Sequence, residues 1–203
     1  MGQLCEVVSG IFTWSWFSEP HRYDFNGHLV RDRDGNVCID PVQPDDDVLA
    51  ALAREGVAVI VLTNRNHLRA AEAVRTRTGA RVLIHAADAA YARSQGGTID
   101  GDLTPGERVG PMVVVAVPGK SPGEVALHWP ERRILIVGDA IIGNPPGACS
   151  FLREKVMDDP AQLRASVREL LALDFDTLLV GDGKSILGGA KECVAALCAS
   201  VPS

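Results

Sequence analysis

Two stretches decide the fold of this chain: Val117-Pro118-Gly119-Lys120-Ser121-Pro122-Gly123-Glu124 and Ile134-Leu135-Ile136-Val137-Gly138-Asp139-Ala140. Both continue short apolar runs, residues 112–117 and 133–137, that predict β-strands. Proline and glycine end each run. The sequence therefore puts a lysine, Lys120, and an aspartate, Asp139, directly beyond the ends of two predicted strands.

Length and composition favour one globular domain over residues 1–203. Hydrophobic residues make up 46% and charged residues 23% of the chain, which is ordinary for globular proteins. The formal net charge is −6, and there is no dense run of lysine and arginine. Because phosphate-rich partners require a concentrated basic surface, we predict no nucleic-acid partner and no membrane partner.

Targeting features and cysteines favour the cytoplasm. The apolar runs are too short to span a bilayer, and no basic segment followed by an apolar one marks a secretory signal at the N-terminus. The five cysteines include no CxxC pair, which favours reduced thiols. Cys149 lies in a loop rich in glycine and proline, and it is the one cysteine whose reactivity merits a test.

Strand and helix patterns alternate along the chain. Strands are predicted at residues 12–18, 25–31, 36–40, 57–62, 81–85, 107–109, 112–117, 125–129, 133–137 and 177–180. Helices are predicted from Asp45 or Asp46 to Glu55 and at residues 67–78, 160–173 and 187–200, with mostly loop at 94–111. Runs of strands followed by mixed β and α units predict an α/β (α+β) fold, a four-layer αββα sandwich.

Further segments complete a resemblance to a known family. They are residues 13–17, 26–30, 37–41, 59–63, 78–85 and 179–183. Together with residues 118–123 and 138–140, they make the chain resemble the metallo-β-lactamase superfamily over almost its whole length. The resemblance implies a hydrolase scaffold in which histidines and aspartates hold two metal ions, usually zinc. Such ions generate hydroxide near neutral pH and polarise the scissile carbonyl or phosphoryl group.

Most of the family's metal ligands are replaced when the motifs are aligned without a gap. The loop T-H-x-H-x-D-H of the family then falls on residues 63–69. The ligand positions are occupied by Asn64, Asn66, Leu68 and Arg69, by Lys120 instead of the P-G-H histidine, and by Asp182 instead of a late histidine. Asp139 alone is retained, so this register implies a degenerate metal motif.

A second register remains open. The segment from residue 63 to residue 79 is about two residues shorter than in the family, and removing two positions puts His67 at a ligand position. His67, Asp139 and Asp182 could then hold a single zinc or other divalent ion, with Asn66 as a weak oxygen donor. The ammonium of Lys120 opposes this arrangement, because like charges repel strongly where water is excluded.

Charge offers an alternative without metal. Asp139 and Asp182 lie close together in the resembled fold, and two adjacent carboxylates without a cation would force one of them to take up a proton. Lys120 could supply a positive charge, with Arg65 or Arg69 as a second source. We therefore favour an internal Asp–Lys–Asp network and no cofactor.

Candidate site residues follow from these alternatives. No catalytic residue is assigned, and the candidates are Asp139, His67 and Lys120. The candidate ligand-binding residues are Asn64, Arg65, Asn66, Arg69, Lys120, Ser121, Asp182 and Lys184.

Three functions remain open from the sequence. The favoured function is that of a hydrolase-like protein without a metal centre, which either binds a small molecule, an anionic one being one possibility, in a remodelled pocket or is catalytically inert. The second is a hydrolase that uses one metal ion. The third is a dimerising scaffold with a vestigial pocket. Fold alone does not decide among them.

Overall fold

The computed structural model describes residues 3–201 and contains two β-sheets. The first sheet has seven strands, adjacent in chain order: β1 (Cys5–Val8), β2 (Ile11–Ser18), β3 (Tyr23–Val30), β4 (Asn36–Ile39), β5 (Val57–Leu62), β6 (Arg81–Ile84) and β7 (Gly101–Asp102). The second has five strands: β8 (Arg108–Val109), β9 (Met112–Ala116), β10 (Val125–Trp129), β11 (Ile134–Val137) and β12 (Thr177–Val180).

Five α-helices cover the sheets. They are α1 (Asp46–Glu55), α2 (Ala71–Thr78), α3 (Ala86–Ser94), α4 (Pro160–Leu170) and α5 (Ala190–Ala199). Two short 3-10 helices lie at Pro130–Arg132 and Glu154–Val156. Within residues 3–201, every helix is too short or too polar to span a bilayer.

Three apolar cores separate four layers. Side chains of α1, α2 and α3 pack on the outer face of the first sheet. Strands of the two sheets pack face to face in the centre, for example Ile39 and Val61 with Val125 and Leu127. The helices α4 and α5 pack on the outer face of the second sheet. The predicted four-layer αββα sandwich is therefore confirmed.

Parallel strands in both sheets bring several loops to one edge of the sandwich. The strands β4, β5, β6 and β7 run parallel to one another in the first sheet. In the second sheet β11 and β12 are parallel, and the other pairs are antiparallel. Because parallel strands end at the same side of a sheet, the loops after them gather at one edge.

The first helix matches the sequence prediction. Asp45 caps α1, since its side chain accepts a hydrogen bond from the Val48 N–H at 2.9 Å. Gly56 ends the helix with a positive φ of 77°. Both features are typical helix boundaries.

The second helix is shorter than predicted. The prediction began it at His67, whereas α2 begins at Ala71 and residues 65–70 form turns. The Arg65 N–H donates to the Asp88 carboxylate at 2.9 Å, and Arg69 has a φ of 27°. A helix does not tolerate this positive φ, so the tertiary contacts of the loop override the helical pattern.

Several short elements were not predicted. His85 was predicted to end a strand, but it caps α3 by accepting a hydrogen bond from the Ala87 N–H at 3.2 Å. The alanine-rich α3 carries no marked apolar stripe, so periodicity does not reveal it. The edge strand β1 was also missed, and the two-residue β7 lies in the predicted loop. The last helix begins at Ala190 rather than residue 187.

Candidate functional site

The candidate site lies where the loops after several strands converge. Asp40 follows β4, His67 lies in the loop after β5, Asp139 follows β11, Asp182 follows β12, and Lys120 lies in the turn between β9 and β10. All five side chains are buried. The fold therefore gathers acidic and basic groups that are far apart in the sequence.

Small residues allow the two sheets to meet closely at this edge. A side chain at Gly138 would overlap Thr63, and a β-carbon at Gly181 would lie 3.2 Å from Cε1 of His67. The Val125 N–H of the second sheet donates to the Thr63 carbonyl at 2.9 Å. Glycine at both positions therefore permits the approach of the site loops.

His67 bridges two carboxylates. Its Nε2 lies 3.1 Å from Oδ1 of Asp139, and its Nδ1 lies 2.8 Å from Oδ2 of Asp40. Asp40 is itself fixed by Thr63, whose N–H and hydroxyl donate to the two carboxylate oxygens at 2.8 and 2.6 Å. The imidazole ring therefore has an acidic partner at each nitrogen.

The two carboxylates keep His67 protonated. Burial and the positive charge of Arg69 act to lower the pKa of His67, but Asp40 and Asp139 outweigh them and raise it to about 10. Burial acts to raise the pKa of Asp40, but His67 and Thr63 lower it below its usual value. Near neutral pH the ring is therefore an imidazolium that donates from both nitrogens.

Lys120 occupies the other side of Asp139. Its Nζ lies 3.1 Å from Oδ2 of Asp139 and 2.8 Å from Oδ1 of Asn66. Burial acts to raise the pKa of Asp139, but the positive charges of His67 and Lys120 lower it well below its usual range. Asp139 is therefore an ionised carboxylate between two cations.

Arg69 pairs with the third aspartate. Its Nη2 lies 3.2 Å from Oδ1 of Asp182, and its guanidinium stacks 4.2 Å from the centre of the Phe25 ring. Burial and the charge of Asp139 raise the pKa of Asp182. Burial and the charge of Asp182 also raise the pKa of the Tyr23 hydroxyl to about 12. Tyr23 therefore remains a neutral donor beside this pair.

Six residues form what we call the charged cluster: Asp40, His67, Arg69, Lys120, Asp139 and Asp182. It contains three carboxylates and three groups that can carry positive charge. Each carboxylate has a positive partner at 3.2 Å or less. The cluster therefore contains as many basic as acidic groups, and each carboxylate is paired within it.

Asp88 fixes the two loops that carry the cluster. This fully buried carboxylate of α3 accepts hydrogen bonds from the Arg65 N–H at 2.9 Å, the Gly123 N–H at 3.0 Å and the Ser121 hydroxyl at 2.5 Å. It thereby joins the loop after β5 to the turn that holds Lys120. No sequence pattern predicts this role for Asp88, because α3 itself has no marked apolar periodicity.

Glu124 is the least satisfied group of the site. Among residues 3–201, the buried side-chain atoms without a hydrogen-bond partner are Nδ2 of Asn64, Nη1 of Arg69 and both carboxyl oxygens of Glu124. Burial and the charge of Asp139 raise the pKa of Glu124 well above its ordinary value. Glu124 directly precedes the apolar strand β10, and only the structure shows that its carboxyl group is buried.

Three candidate ligand-binding residues have partners outside the charged cluster. Nη2 of Arg65 donates to both carboxylate oxygens of Asp158, at 2.7 and 2.8 Å, and the guanidinium stacks on Tyr91. Ser121 is buried and donates to Asp88, and Lys184 pairs with Asp24 at 2.6 Å. Their side chains therefore stabilise the surrounding loops.

The remaining candidates divide between the cluster and its loop. Arg69, Lys120 and Asp182 belong to the charged cluster, and Asn66 accepts from Lys120. Asn64 accepts from the Asn66 N–H at 2.8 Å and so shapes the loop. The alignment without a gap places Leu68 at a metal-ligand position. In the structure this side chain packs instead with the apolar core under α2 and α3.

The residue types at positions 67, 139 and 182 suit a metal site, but all three side chains have charged partners in the structure. One ligand atom of each lies within 4.8 Å of those of the other two, and imidazole with carboxylates suits a divalent transition metal. A metal requires a neutral imidazole with a free lone pair. Nδ1 of His67 faces Asp40, as the second nitrogen of a metal-bound histidine usually faces a carboxylate. Asp139 and Asp182, however, are paired with the cations Lys120 and Arg69 in this structure.

Sequence comparison relates the chain to hydrolases. The sequence profile described as Metallo-beta-lactamase superfamily matches residues 7–201. A hydroxyacylglutathione hydrolase of Fuscovulum blasticum is 34% identical over 156 residues, which are 73% of this chain and 57% of that protein. A hydroxyacylglutathione hydrolase of Cereibacter sphaeroides is 32% identical over 169 residues, 79% of this chain and 62% of that protein. The chain thus spans about three fifths of these relatives.

Solved structures share the fold. A metallo-beta-lactamase from Pontibacter korlensis superposes with a TM-score of 0.81 at 17% identity, covering 99% of this chain and 100% of that one. The metallo-beta-lactamase FIM-1 from Pseudomonas aeruginosa, in its mono-zinc form, gives a TM-score of 0.77 at 19% identity and covers 99% and 97% of the two chains. At these identities the similarity establishes the architecture.

Proposed function

Because this chain belongs to the metallo-beta-lactamase superfamily, we propose that it keeps the family scaffold but binds a small anionic molecule without a metal centre. The curated relatives that it matches are hydrolases. In this proposal the charged cluster replaces the metal ions. The chain then does not carry out metal-dependent hydrolysis.

One contact carries the proposal: Nζ of Lys120 lies 3.1 Å from Oδ2 of Asp139. Asp139 is the residue that the resemblance assigns to the metal ions, and Lys120 stands at a histidine ligand position. Two unit charges about 4 Å apart interact by about 4 kcal/mol near a protein surface, and a divalent ion doubles the repulsion. An ammonium at this distance therefore opposes metal binding.

The most exposed cation of the charged cluster, Arg69, favours a negatively charged ligand. The side chain of Arg69 is 18% exposed, compared with 7% for Lys120 and 5% for Asp182. Arg69 is thus the cluster's cation nearest to solvent, and a planar guanidinium pairs well with a carboxylate. The Phe25 ring beneath it offers an apolar wall. A small organic carboxylate matches these groups.

The names of the curated relatives suggest one class of ligand to test. They are hydroxyacylglutathione hydrolases, although this chain spans only part of their length. Hydroxyacyl thioesters of glutathione therefore belong in the ligand panel beside simple carboxylates.

A second candidate function has one observation in its favour. His67, Asp139 and Asp182 have the donor types and spacing to hold a single divalent ion. Lys120 and Arg69 would then have to leave their aspartate partners, and His67 would have to lose a proton. Bound in this way, a metal would supply an activated water for hydrolysis.

Metal content separates these two functions. The protein is purified without chelator or added metal, and zinc and other transition metals are measured by mass spectrometry. We expect far less than one metal per chain in the wild type and in Lys120→Met, with the variant less stable. One tightly bound zinc in the wild type would establish the second function instead.

The protonation of His67 gives an independent test that requires no substrate. In a long-range ¹H–¹⁵N spectrum near neutral pH, we expect both ring nitrogens of His67 to be protonated. His28 is a control in the same molecule, because burial lowers its pKa to about 4 and its ring stays neutral. A neutral His67 ring with one bare nitrogen would contradict the metal-free proposal.

Ligand binding is tested by thermal shift across small carboxylates and hydroxyacyl-glutathione thioesters. A binder is expected to raise the melting temperature of the wild type and of Arg93→Gln, whose changed residue lies on α3. The shift should be lost in Arg69→Gln. An equal shift in Arg69→Gln would remove Arg69 from the binding site.

A further inference from the structure

A cavity opens between the two sheets at the edge formed by β7 and β8. It lies among residues 81–83, 101–109 and 114, and we call it the edge cleft. Its volume is about 230 Å³, below the roughly 300–1,000 Å³ of most small-molecule sites. Both strands are outermost in their sheets and have two residues each, so they cover little of the central core at this edge.

The inner wall of the edge cleft is apolar. Four side chains that belong to the central core or pack against it form this wall: Leu83, Leu103, Val109 and Val114. Gly101 is the partner of Leu83 in the register of β6 and β7. A β-carbon at Gly101 would lie 3.0 Å from Cδ2 of Leu83 and 3.2 Å from Nη2 of Arg81. Glycine therefore keeps open the space between the apolar wall and a guanidinium.

That guanidinium has no carboxylate partner. Nη2 of Arg81 lies 3.5 Å from the Asp100 carbonyl oxygen, which is a weak contact. The carboxylate of Asp100 is paired with Arg75 at 3.1 Å. Within residues 3–201, Arg81 forms no ion pair. Its guanidinium is therefore available to the carboxylate of a ligand.

Two acidic side chains complete the rim of the edge cleft. Asp102 and Glu107 are exposed, and in the part of the chain that the structure describes neither carboxylate forms an ion pair. Arg108, which also lines the cleft, is paired with Glu131 at 3.1 Å. The rim thus offers positive charge from Arg81 and negative charge from the two acids.

We propose that the edge cleft binds a small zwitterion with an apolar group, which is the chemistry of an aliphatic α-amino acid. The ligand carboxylate pairs with Arg81, its ammonium pairs with Asp102 or Glu107, and its apolar group packs on the inner wall. A ligand with a single charge would leave one side of the rim without a partner. Because exposed ion pairs each contribute little, the affinity is modest.

The edge cleft is separate from the charged cluster. The cluster lies in loops that follow β4, β5, β11 and β12 and in the turn after β9, whereas the cleft lies beside β7 and β8. The two sites share no residue, so the proposal is independent of the ligand that the charged cluster binds.

Binding is measured by titrating the ¹⁵N-labelled chain with L-leucine and recording ¹H–¹⁵N correlation spectra. We expect saturable shifts of the amide signals around Asp102 and Glu107. Isocaproate and isoamylamine are leucine without its ammonium and without its carboxylate, respectively. Each should bind about tenfold more weakly than leucine, because each loses one charged partner.

Variants identify the site. Arg81→Gln should weaken leucine binding about tenfold, and Gly101→Val should abolish it, because the added side chain enters the cleft. Arg77→Gln, which changes an exposed arginine on α2 outside the cleft, is the control and should bind leucine as the wild type does. The same spectra verify that each variant is folded.

Three results would each overturn the proposal. The first is the absence of saturable leucine shifts at the edge cleft of the wild type. The second is that isocaproate or isoamylamine binds as tightly as leucine. The third is unchanged leucine binding in a folded Arg81→Gln, a test that does not depend on whether Gly101→Val folds.

Discussion

At the scale of single residues, the site is defined by its buried ion pairs. Nε2 of His67 faces Asp139, and Nδ1 faces Asp40. Lys120 then takes the remaining oxygen of Asp139. These contacts neutralise the carboxylates internally, since a buried charge requires a partner.

Glu124→Gln is expected to stabilise the protein near pH 7.5. Burial and the charge of Asp139 raise the folded-state pKa of Glu124, so between the unfolded and the folded pKa the folded state binds more protons than the unfolded chain. That contribution to stability is present below the unfolded pKa of about 4.5 and is lost as pH rises through the folded pKa. We expect a gain of about 1–3 kcal/mol in urea unfolding.

The gain from Glu124→Gln should vanish below pH 4.5, where both states hold the proton. Glu72→Gln, an exposed acid on α2, is the control and should change stability little. A loss of stability in Glu124→Gln at pH 7.5 would mean that the carboxylate is ionised and paired in the folded protein.

His28 is expected to limit stability in acid. Burial lowers its pKa from 6.5 to about 4, and its ring lies 2.8 Å from the Thr13 hydroxyl and 3.2 Å from the Val180 carbonyl. The contribution of the neutral ring is complete above pH 6.5 and is lost as pH falls toward 4, a change of about 3 kcal/mol. Urea unfolding between pH 7 and pH 4 measures this slope.

The matched variant for this slope is His28→Gln. It should be less stable at pH 7, because the ring packing is lost, but its stability should fall less between pH 6.5 and pH 4. An unchanged slope in His28→Gln would assign the acid sensitivity to other groups.

At the scale of elements, close backbone contacts decide the site geometry. The turn that carries Lys120 lies against the start of α4, where Gly119 has a φ of 136° and a β-carbon would overlap the backbone of Leu163. On the other side of this turn, Asp88 of α3 accepts from Ser121 and Gly123. Two helices thus position one lysine.

Gly119→Ala is therefore expected to destabilise the fold more than a glycine substitution elsewhere. Gly106→Ala is the matched control, since Gly106 also has a positive φ, 90°, but has no neighbour within 4 Å of a built β-carbon. The control should lose about 1 kcal/mol from backbone strain. Gly119→Ala should lose about 2 kcal/mol more from overlap. Equal urea midpoints for the two variants would contradict the packing argument.

At the scale of the whole molecule, three apolar cores hold the layers of the sandwich together. The central core lies between the sheets, and the two outer cores lie under the helices. The charged cluster closes one edge with its own ion pairs.

Removal of metal is expected to leave the stability unchanged. Dialysis against EDTA, followed by dialysis into metal-free buffer, should not alter the melting temperature or the urea midpoint. A protein that held a structural metal would lose stability, because metal binding contributes to folding free energy. A drop restored by adding zinc would contradict the metal-free cluster.

The sequence by itself determined the architecture. The period of the apolar runs, the Asp45 cap, the Gly56 stop and the family motifs led to the four-layer sandwich, because these signals are local and follow from backbone geometry. Sequence patterns did not predict α3 and placed the start of α2 too early. In both segments, contacts from distant parts of the chain outweigh the local pattern.

Only the tertiary structure decided the partners within the site. The sequence left two registers open and offered Arg65 or Arg69 as the second cation, whereas the structure pairs Arg69 with Asp182 and Arg65 with Asp158. Asp88 and Glu124 also emerge only there. Ion pairs join residues from loops far apart in the chain, so their geometry depends on how the strand ends meet, which no local pattern encodes.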